Sequence, residues 1–281
     1  MSPVRLIAID IDGTLLDSKF QVSEPNLAAL RRAHALGVEI ALATGRRHSF
    51  ALPVARLLGF EVAMISSNGA VTRQSDGTLF HRDPLPLGAA LELVEHMTGF
   101  RRHLVITFDE EGEKPLLLET LETLNESIKR WLETNSQHIR VVTPIERGLT
   151  RDPIQAMYCG TVELMMAAEA QLMKNNALLT RITLLKTQYD ARDLCMLDIL
   201  NKGCTKGAAL GRWASSRGYA PAEVMAIGDN YNDIEMLEFA GHPCIMGNAT
   251  AELRGRGWPT TLDNNEDGVA AAVDAALEGL E

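Results

Sequence analysis

The sequence predicts a doubly wound, Rossmann-like α/β parallel sheet into which a second, α+β domain is inserted. Three observations carry that prediction. Short continuous apolar runs alternate with helical patterns up to Asn68-Gly69, the pattern breaks after Asp83-Pro84, and it resumes at Leu194. The chain has 281 residues, and at about 150 residues per domain two domains are expected.

The first run, Leu6-Ile7-Ala8-Ile9, suits a strand buried on both faces. Ser23 then stands before Glu24-Pro25 as an N-cap, and a helical pattern runs to about Ala35, where Gly37 stops it. Val38 to Ala43 reads as a second buried strand, and Thr44-Gly45-Arg46 is expected to open the next helix. Ala63 to Ser66 is a third strand ending at the Asn68-Gly69 turn signal. The order β-α-β-α-β argues for a doubly wound sheet.

Beyond Asp83-Pro84 the pattern predicts a helix over Leu85 to Met97, a strand over His103 to Phe108 and a helix over Leu116 to Glu133. Strands at Ile154 to Cys159 and Arg181 to Lys186 flank a helix at Val162 to Met173. After Leu194 come a strand (Met196 to Leu200), a helix (Thr205 to Arg217), strands at Val224 to Ile227 and Cys244 to Met246, and between these two a helix at Ile234 to Phe239. The expected division is therefore residues 1–83 with 191–281 as the core and 84–190 as the insertion, since loop tips tolerate insertions.

With 46% hydrophobic and 23% charged residues the chain is globular rather than disordered or fibrous. The 27 Lys and Arg against 37 Asp and Glu give a net charge of −10. That charge disfavours general binding to nucleic acid or anionic lipid. Cys159, Cys195, Cys204 and Cys244 form no C-x-x-C pair and no Cys/His cluster, so zinc is not expected. Reduced cysteines, no signal-peptide pattern and no long uncharged apolar segment point to a cytoplasmic location.

Chemistry concentrates at strand ends. Asp10 and Asp12 lie two apart at the carboxyl end of the first strand, so both side chains are expected on one side, where open α/β sheets bind ligands. Two such carboxylates repel by about 4 kcal/mol at about 4 Å and an effective dielectric near 20. A shared proton or a cation must offset that, unless Asp-Gly serves only as a turn. An EF-hand is excluded by the position of Gly13 and the preceding strand. Thr44-Gly45 offers N–H groups to an anion, or a simple cap. Lys206 follows Thr205 at a helix start, where a cation opposes the helix dipole. Either it is an ordinary surface lysine or it is held against an anion, and Lys202 is its rival. Gly228-Asp229-Asn230-Tyr231-Asn232-Asp233 follows a buried strand, and its acids and amides are either helix caps or the remainder of an all-oxygen site with Asp10 and Asp12. All-oxygen ligation with few protein ligands favours Mg²⁺.

The strings D-I-D-G-T, A-T-G, T-K-G and G-D-N-Y-N-D, in that order and each at or near a strand end, resemble the four motifs of the haloacid dehalogenase-like (HAD) hydrolase superfamily. The insertion lies where the Cof-type phosphatases carry a class IIB cap. Ser67-Asn68-Gly69-Ala70, Met246-Gly247-Asn248-Ala249 and Asn265-Glu266-Asp267-Gly268-Val269-Ala270 extend the likeness, which covers the core; in the insertion it rests on position and length. The resemblance implies a phosphoric monoester hydrolase acting on a small phosphorylated metabolite, such as a sugar phosphate or nucleotide-like ester. In that scheme Asp10 is the nucleophile that forms an aspartyl-phosphate, and Asp12 the general acid and base. Thr44, Gly45, Lys206 and Asn232 bind the phosphoryl oxygens. Mg²⁺ is held by the carboxylates of Asp10 and Asp229 and the main-chain carbonyl of Asp12. Asp233 orients Lys206 or a metal-bound water. The acid at position 12 favours phosphoryl transfer over dehalogenation.

The insertion would act as a lid, with Arg101, Arg102, His103, Tyr158 and Tyr189 as unranked contacts to the leaving group. The alternatives are a phosphomutase or phosphotransferase of the same superfamily and a non-catalytic phosphometabolite-binding protein. No G-x-G-x-x-G or G-x-x-x-x-G-K-[ST] occurs, which argues against dinucleotide and P-loop enzymes. A monomer or homodimer is expected, without nucleic-acid or membrane partners.

Overall fold

The structure, a computed structural model, describes residues 4–109, 114–124, 128–129, 133 and 135–278. The chain forms two compact units, Met1–His81 with Thr205–Glu281 and, between them in sequence, Arg82–Cys204.

The first unit begins with β1 (Leu6–Asp10), α1 (Glu24–Ala35), β2 (Glu39–Ala43), α2 (His48–Leu58), β3 (Ala63–Ser66), β4 (Val71–Gln74) and β5 (Leu79–Arg82). The second unit contains α3 (Leu87–His96), β6 (Leu104–Thr107), β7 (Leu116–Leu118), β8 (Ile139–Val141), β9 (Gln155–Gly160), α4 (Val162–Leu172), α5 (Asn176–Leu179), β10 (Ile182–Tyr189) and β11 (Leu194–Asn201). The chain then returns through α6 (Lys206–Ser216), β12 (Val224–Gly228), α7 (Ile234–Phe239), β13 (His242–Ile245), α8 (Ala251–Gly255) and α9 (Gly268–Leu277).

The first sheet has the order β13-β12-β1-β2-β3-β4-β5. Its first five strands are parallel and β4 runs antiparallel to β3. β1 is wholly buried, because alternate residues face opposite helical layers. Ile7 and Ile9 pack with residues of α1, α2 and α9, such as Leu30, Ala55 and Val273. Leu6 and Ala8 pack with Leu210 and Trp213 of α6 and Leu237 of α7. An apolar run without alternation is what two covered faces require, and it fixes the carboxyl end of β1 inside the protein. Ser23 caps α1 as expected, accepting from the Asn26 N–H.

The second unit is a six-stranded sheet, β10-β11-β9-β6-β7-β8, with its own apolar core. Two expectations are corrected here. The strand expected at Met196 to Leu200 forms within β11, but it pairs with β10 and β9 in this second sheet rather than resuming the first. β10 and β11 are joined only by a short 3₁₀ turn, Asp190–Arg192, followed by Asp193 at φ 42°, so the second strand folds back along the first. The division accordingly falls at Cys204/Thr205 instead of near residue 190. The helix expected from Leu116 begins instead as β7, parallel to β8. A short leucine run satisfies either period, and the vacant position beside β6 makes it a strand. Within that expected helix, residues 125–127 and 130–132, Trp131 and Leu132 among them, lie outside the described residues.

All four cysteines are buried and unbridged. Among the described residues no helix is long and apolar enough to cross a membrane.

Candidate active site

The carboxyl ends of β1 and β12 and the start of α6 bring four charged groups together. Oxygen atoms of Asp10, Asp229 and Asp233 lie within 4.8 Å of one another, and all three residues are buried. Lys206 is fully buried too, its Nζ donating to Asp10 Oδ1 at 2.5 Å and Asp233 Oδ1 at 2.7 Å. Thr205 caps α6 by accepting from the Ala208 N–H, which places Lys206 at the first helical position. Lys206 is thus held against acids. Lys202 lies in the other unit, where its Nζ donates to the Leu179 carbonyl.

The electrostatics follow from burial. Asp10 is pushed up to about 7, first by desolvation and then by the charges of Asp233 and Asp12, against the pull of Lys206. Asp229 is raised well above the usual carboxylate range by burial and by the charges of Asp10 and Asp233. Burial alone would lower the Lys206 ammonium, but Asp10 and Asp233 together outweigh it and hold the group above its ordinary value.

With all three carboxylates ionised, one ammonium leaves two negative charges in a desolvated site, a charge that a divalent cation could balance. The donor set is all oxygen, which suits a hard ion. Asp233 uses Oδ1 on Lys206 and Oδ2 on the N–H groups of Asp229 and Asn230. Asp10 and Asp229 are therefore the carboxylates best placed to hold such an ion. Thr14 Oγ1 donates to Asp229 Oδ1 at 3.0 Å, fixing its carboxylate.

Gly13 makes this approach possible. It stands at φ 87°, and a Cβ there would lie 2.5 Å from Asp229 Oδ2. Gly13→Ala is therefore expected to cost about 1–3 kcal/mol of stability and to weaken stabilisation by Mg²⁺. Thermal denaturation with and without Mg²⁺ checks both.

Asp12 lies two residues beyond the end of β1, and its charge acts on Asp10. Its carboxylate accepts from Arg46 Nε at 2.7 Å and Arg46 Nη2 at 2.5 Å, a bidentate pair that leaves about a third of the Asp12 side chain exposed. The helix expected at Thr44 starts later, at His48. Thr44 Oγ1 accepts from the Arg46 N–H at 3.0 Å, so Thr44-Gly45 forms a hydroxyl-supported turn ahead of the helix. The Thr44 N–H continues the ladder to β3, donating to the Ile65 carbonyl at 2.8 Å. Asn232 donates to Asn68 Oδ1 at 2.9 Å, in a buried pair.

Sequence reasoning assigned no role to Thr14, Arg46, Asn68 or Asn248, whose amide donates to the Gly13 carbonyl at 2.8 Å. Their signal was position, because each sits inside or beside one of the motif strings. In the second unit Tyr158 lies in the apolar core. Arg101 pairs with Glu119 and Glu146, Arg102 pairs with Glu122, and Arg192 lies over the Tyr189 ring.

A doubly wound parallel sheet with buried acids gathered at the carboxyl ends of its strands is the ligand-binding arrangement of open α/β enzymes. The chain belongs to the haloacid dehalogenase-like hydrolases, whose family profile matches residues 7–273. It is 28% identical to phosphatase YwpJ of Bacillus subtilis, across 95% of this chain and 98% of that one. It is 29% identical to pyridoxal phosphate phosphatase YbhA of Escherichia coli, across 97% and 98%, and 30% identical to an HMP-PP phosphatase of Serratia proteamaculans, across 89% and 86%. Among solved structures, a haloacid dehalogenase-like hydrolase from B. subtilis superposes with a TM-score of 0.80 at 26% identity, covering 96% of this chain and 99% of that one.

Proposed function

We propose that this protein is a Mg²⁺-dependent phosphatase of small phosphorylated metabolites that works through an aspartyl-phosphate. The observation that carries this reading is the buried constellation of Asp10, Lys206, Asp229 and Asp233. The names of the relatives support the substrate class, since pyridoxal phosphate is a small phosphomonoester.

In the first step an Asp10 carboxylate oxygen forms a bond to phosphorus in line with the ester oxygen. The ester P–O bond breaks, and Asp12 delivers its proton to the leaving oxygen. In the second step Asp12 takes a proton from water, which attacks phosphorus; the bond to Asp10 breaks and inorganic phosphate leaves. Arg46 pairs with both Asp12 oxygens, and one of these two bonds opens when Asp12 carries the proton while the other keeps its orientation. Thr44, the Gly45 N–H, Lys206 and Asn232 bind phosphoryl oxygens, and Asp233 orients Lys206. Mg²⁺ bound by Asp10, Asp229 and the Asp12 carbonyl would neutralise the repulsion between carboxylate and phosphate. We assign to residues 82–204 the role of a lid that selects the leaving group.

Release of p-nitrophenol from p-nitrophenyl phosphate is expected with Mg²⁺ and not with excess EDTA. Asp229→Asn is expected to raise the Mg²⁺ concentration for half-maximal rate by about tenfold or more. Equal rates with and without chelator would overturn the metal requirement.

A further inference from the structure

We infer that Asn68 is a positioning residue for the phosphoryl site, an inference that rests on the proposed phosphatase reading. Ser67, Asn68 and Gly69 follow β3 with φ values of 48°, 53° and 102°, consecutive left-handed residues of which only Gly69 lacks a Cβ. Backbone in this region persists where its surroundings enforce it, and such strain gathers at working sites. Here the surroundings are the site itself.

On one side the loop is tied to the Thr44 turn. The Asn68 N–H donates to the Thr44 carbonyl at 2.9 Å, and the Ser67 N–H to the Arg46 carbonyl at 2.8 Å. On the other side it abuts the start of α6. A Cβ at Gly69 would lie 2.2 Å from the Thr205 carbonyl oxygen and 3.2 Å from the Lys206 nitrogen. Between these two contacts stands the fully buried Asn68 side chain. Its amide packs on Gly45, where a Cβ would come within 3.3 Å of Nδ2, and its Oδ1 accepts from Asn232.

One amide therefore touches Gly45 and Asn232, while its own loop braces Thr44 and Lys206. These are the four residues to which phosphoryl binding is assigned. A turn former alone would need the left-handed backbone but no buried amide. Asn68 fixes the Asn232 side chain and sets its distance from the Gly45 N–H, so the oxyanion donors are spaced before substrate arrives.

Asn68→Gly tests this, because glycine keeps the left-handed backbone and removes only the amide. The expected result is a folded protein whose melting temperature drops by about a few degrees, because Asn232 loses its buried partner. Alongside it, kcat for p-nitrophenyl phosphate should fall, and the competitive inhibition constant for inorganic phosphate should rise, each by about tenfold or more. Asn68→Asp, which also tolerates this backbone and keeps an acceptor for Asn232, is expected to fold and to bind phosphate more weakly because of its added charge. If the glycine variant melts lower but keeps its phosphate inhibition constant, or is unchanged in both, Asn68 is only a turn residue and the inference fails. Should the glycine variant not fold, unaltered phosphate inhibition in Asn68→Asp has the same meaning. A parent protein that neither hydrolyses the ester nor is inhibited by phosphate would instead remove the phosphatase reading beneath it.

Discussion

Asp10→Asn is expected to lower the rate of p-nitrophenyl phosphate hydrolysis by about four orders of magnitude or more, since an amide cannot form the acyl phosphate. The same substitution is expected to preserve the fold. Lys206 keeps its bond to Asp233, and the amide oxygen of Asn can still accept from Nζ. The direction of the stability change depends on pH. The Asp10 carboxyl is raised to about 7 in the folded protein, above its ordinary value of 3.8. Its protonated form is therefore favoured by folding, and the metal-free wild type loses stability as pH rises between those two values. Asn carries no such charge. In EDTA the variant should gain on the wild type progressively from about pH 4 to pH 7 and hold a constant lead above that. Thermal melts across this range check the sign. A variant that loses activity and also stability at pH 8 would mean that Asp10 is chiefly a partner for Lys206.

Lys206→Met is expected to have the second largest effect, on both stability and rate. The ammonium is fully buried and is the cation that faces Asp10 and Asp233, so its removal leaves buried carboxylates without their partner. Breaking a buried pair in this way costs about 3–5 kcal/mol. Mg²⁺ should return part of that loss, because the ion supplies charge to the same cluster. Its stabilising effect in urea denaturation should then be larger for the variant than for the wild type. Loss of a cation aimed at the phosphoryl group is expected to lower kcat by about 10²–10³-fold even with saturating Mg²⁺. A Met variant as stable as the wild type in EDTA would show that the cluster carries less charge than its geometry demands.

Much of this architecture was legible because its determinants are local. Leu6 to Ile9 are apolar without alternation, which only a strand covered on both faces needs, and the acids follow where that strand must end. Asp10, Lys206, Asp229 and Asp233 could be picked out because each lies at a strand end or a helix start. The pairing of Asp12 was not legible, since its partner Arg46 lies 34 residues away. Thr14 and Asn68 escaped assignment for the same reason. A threonine and an asparagine in a turn carry no mark of a partner such as Asp229 or Asn232 far along the chain. The later start of α2 reflects Thr44, whose hydroxyl closes a turn that looks like a cap in sequence. The placement of β11 depended on the tight Asp190–Arg192 turn, and an apolar run cannot say which of two sheets it joins.

The most direct test is to quench Asp12→Asn with acid during turnover of a phosphoester in Mg²⁺, digest it and weigh the peptides. Slowed hydrolysis of the intermediate should leave the mass of one phosphoryl group on the peptide holding Asp10. A phosphoryl group found on another residue, or full turnover in the Asp10→Asn protein, would contradict nucleophilic attack from the end of β1.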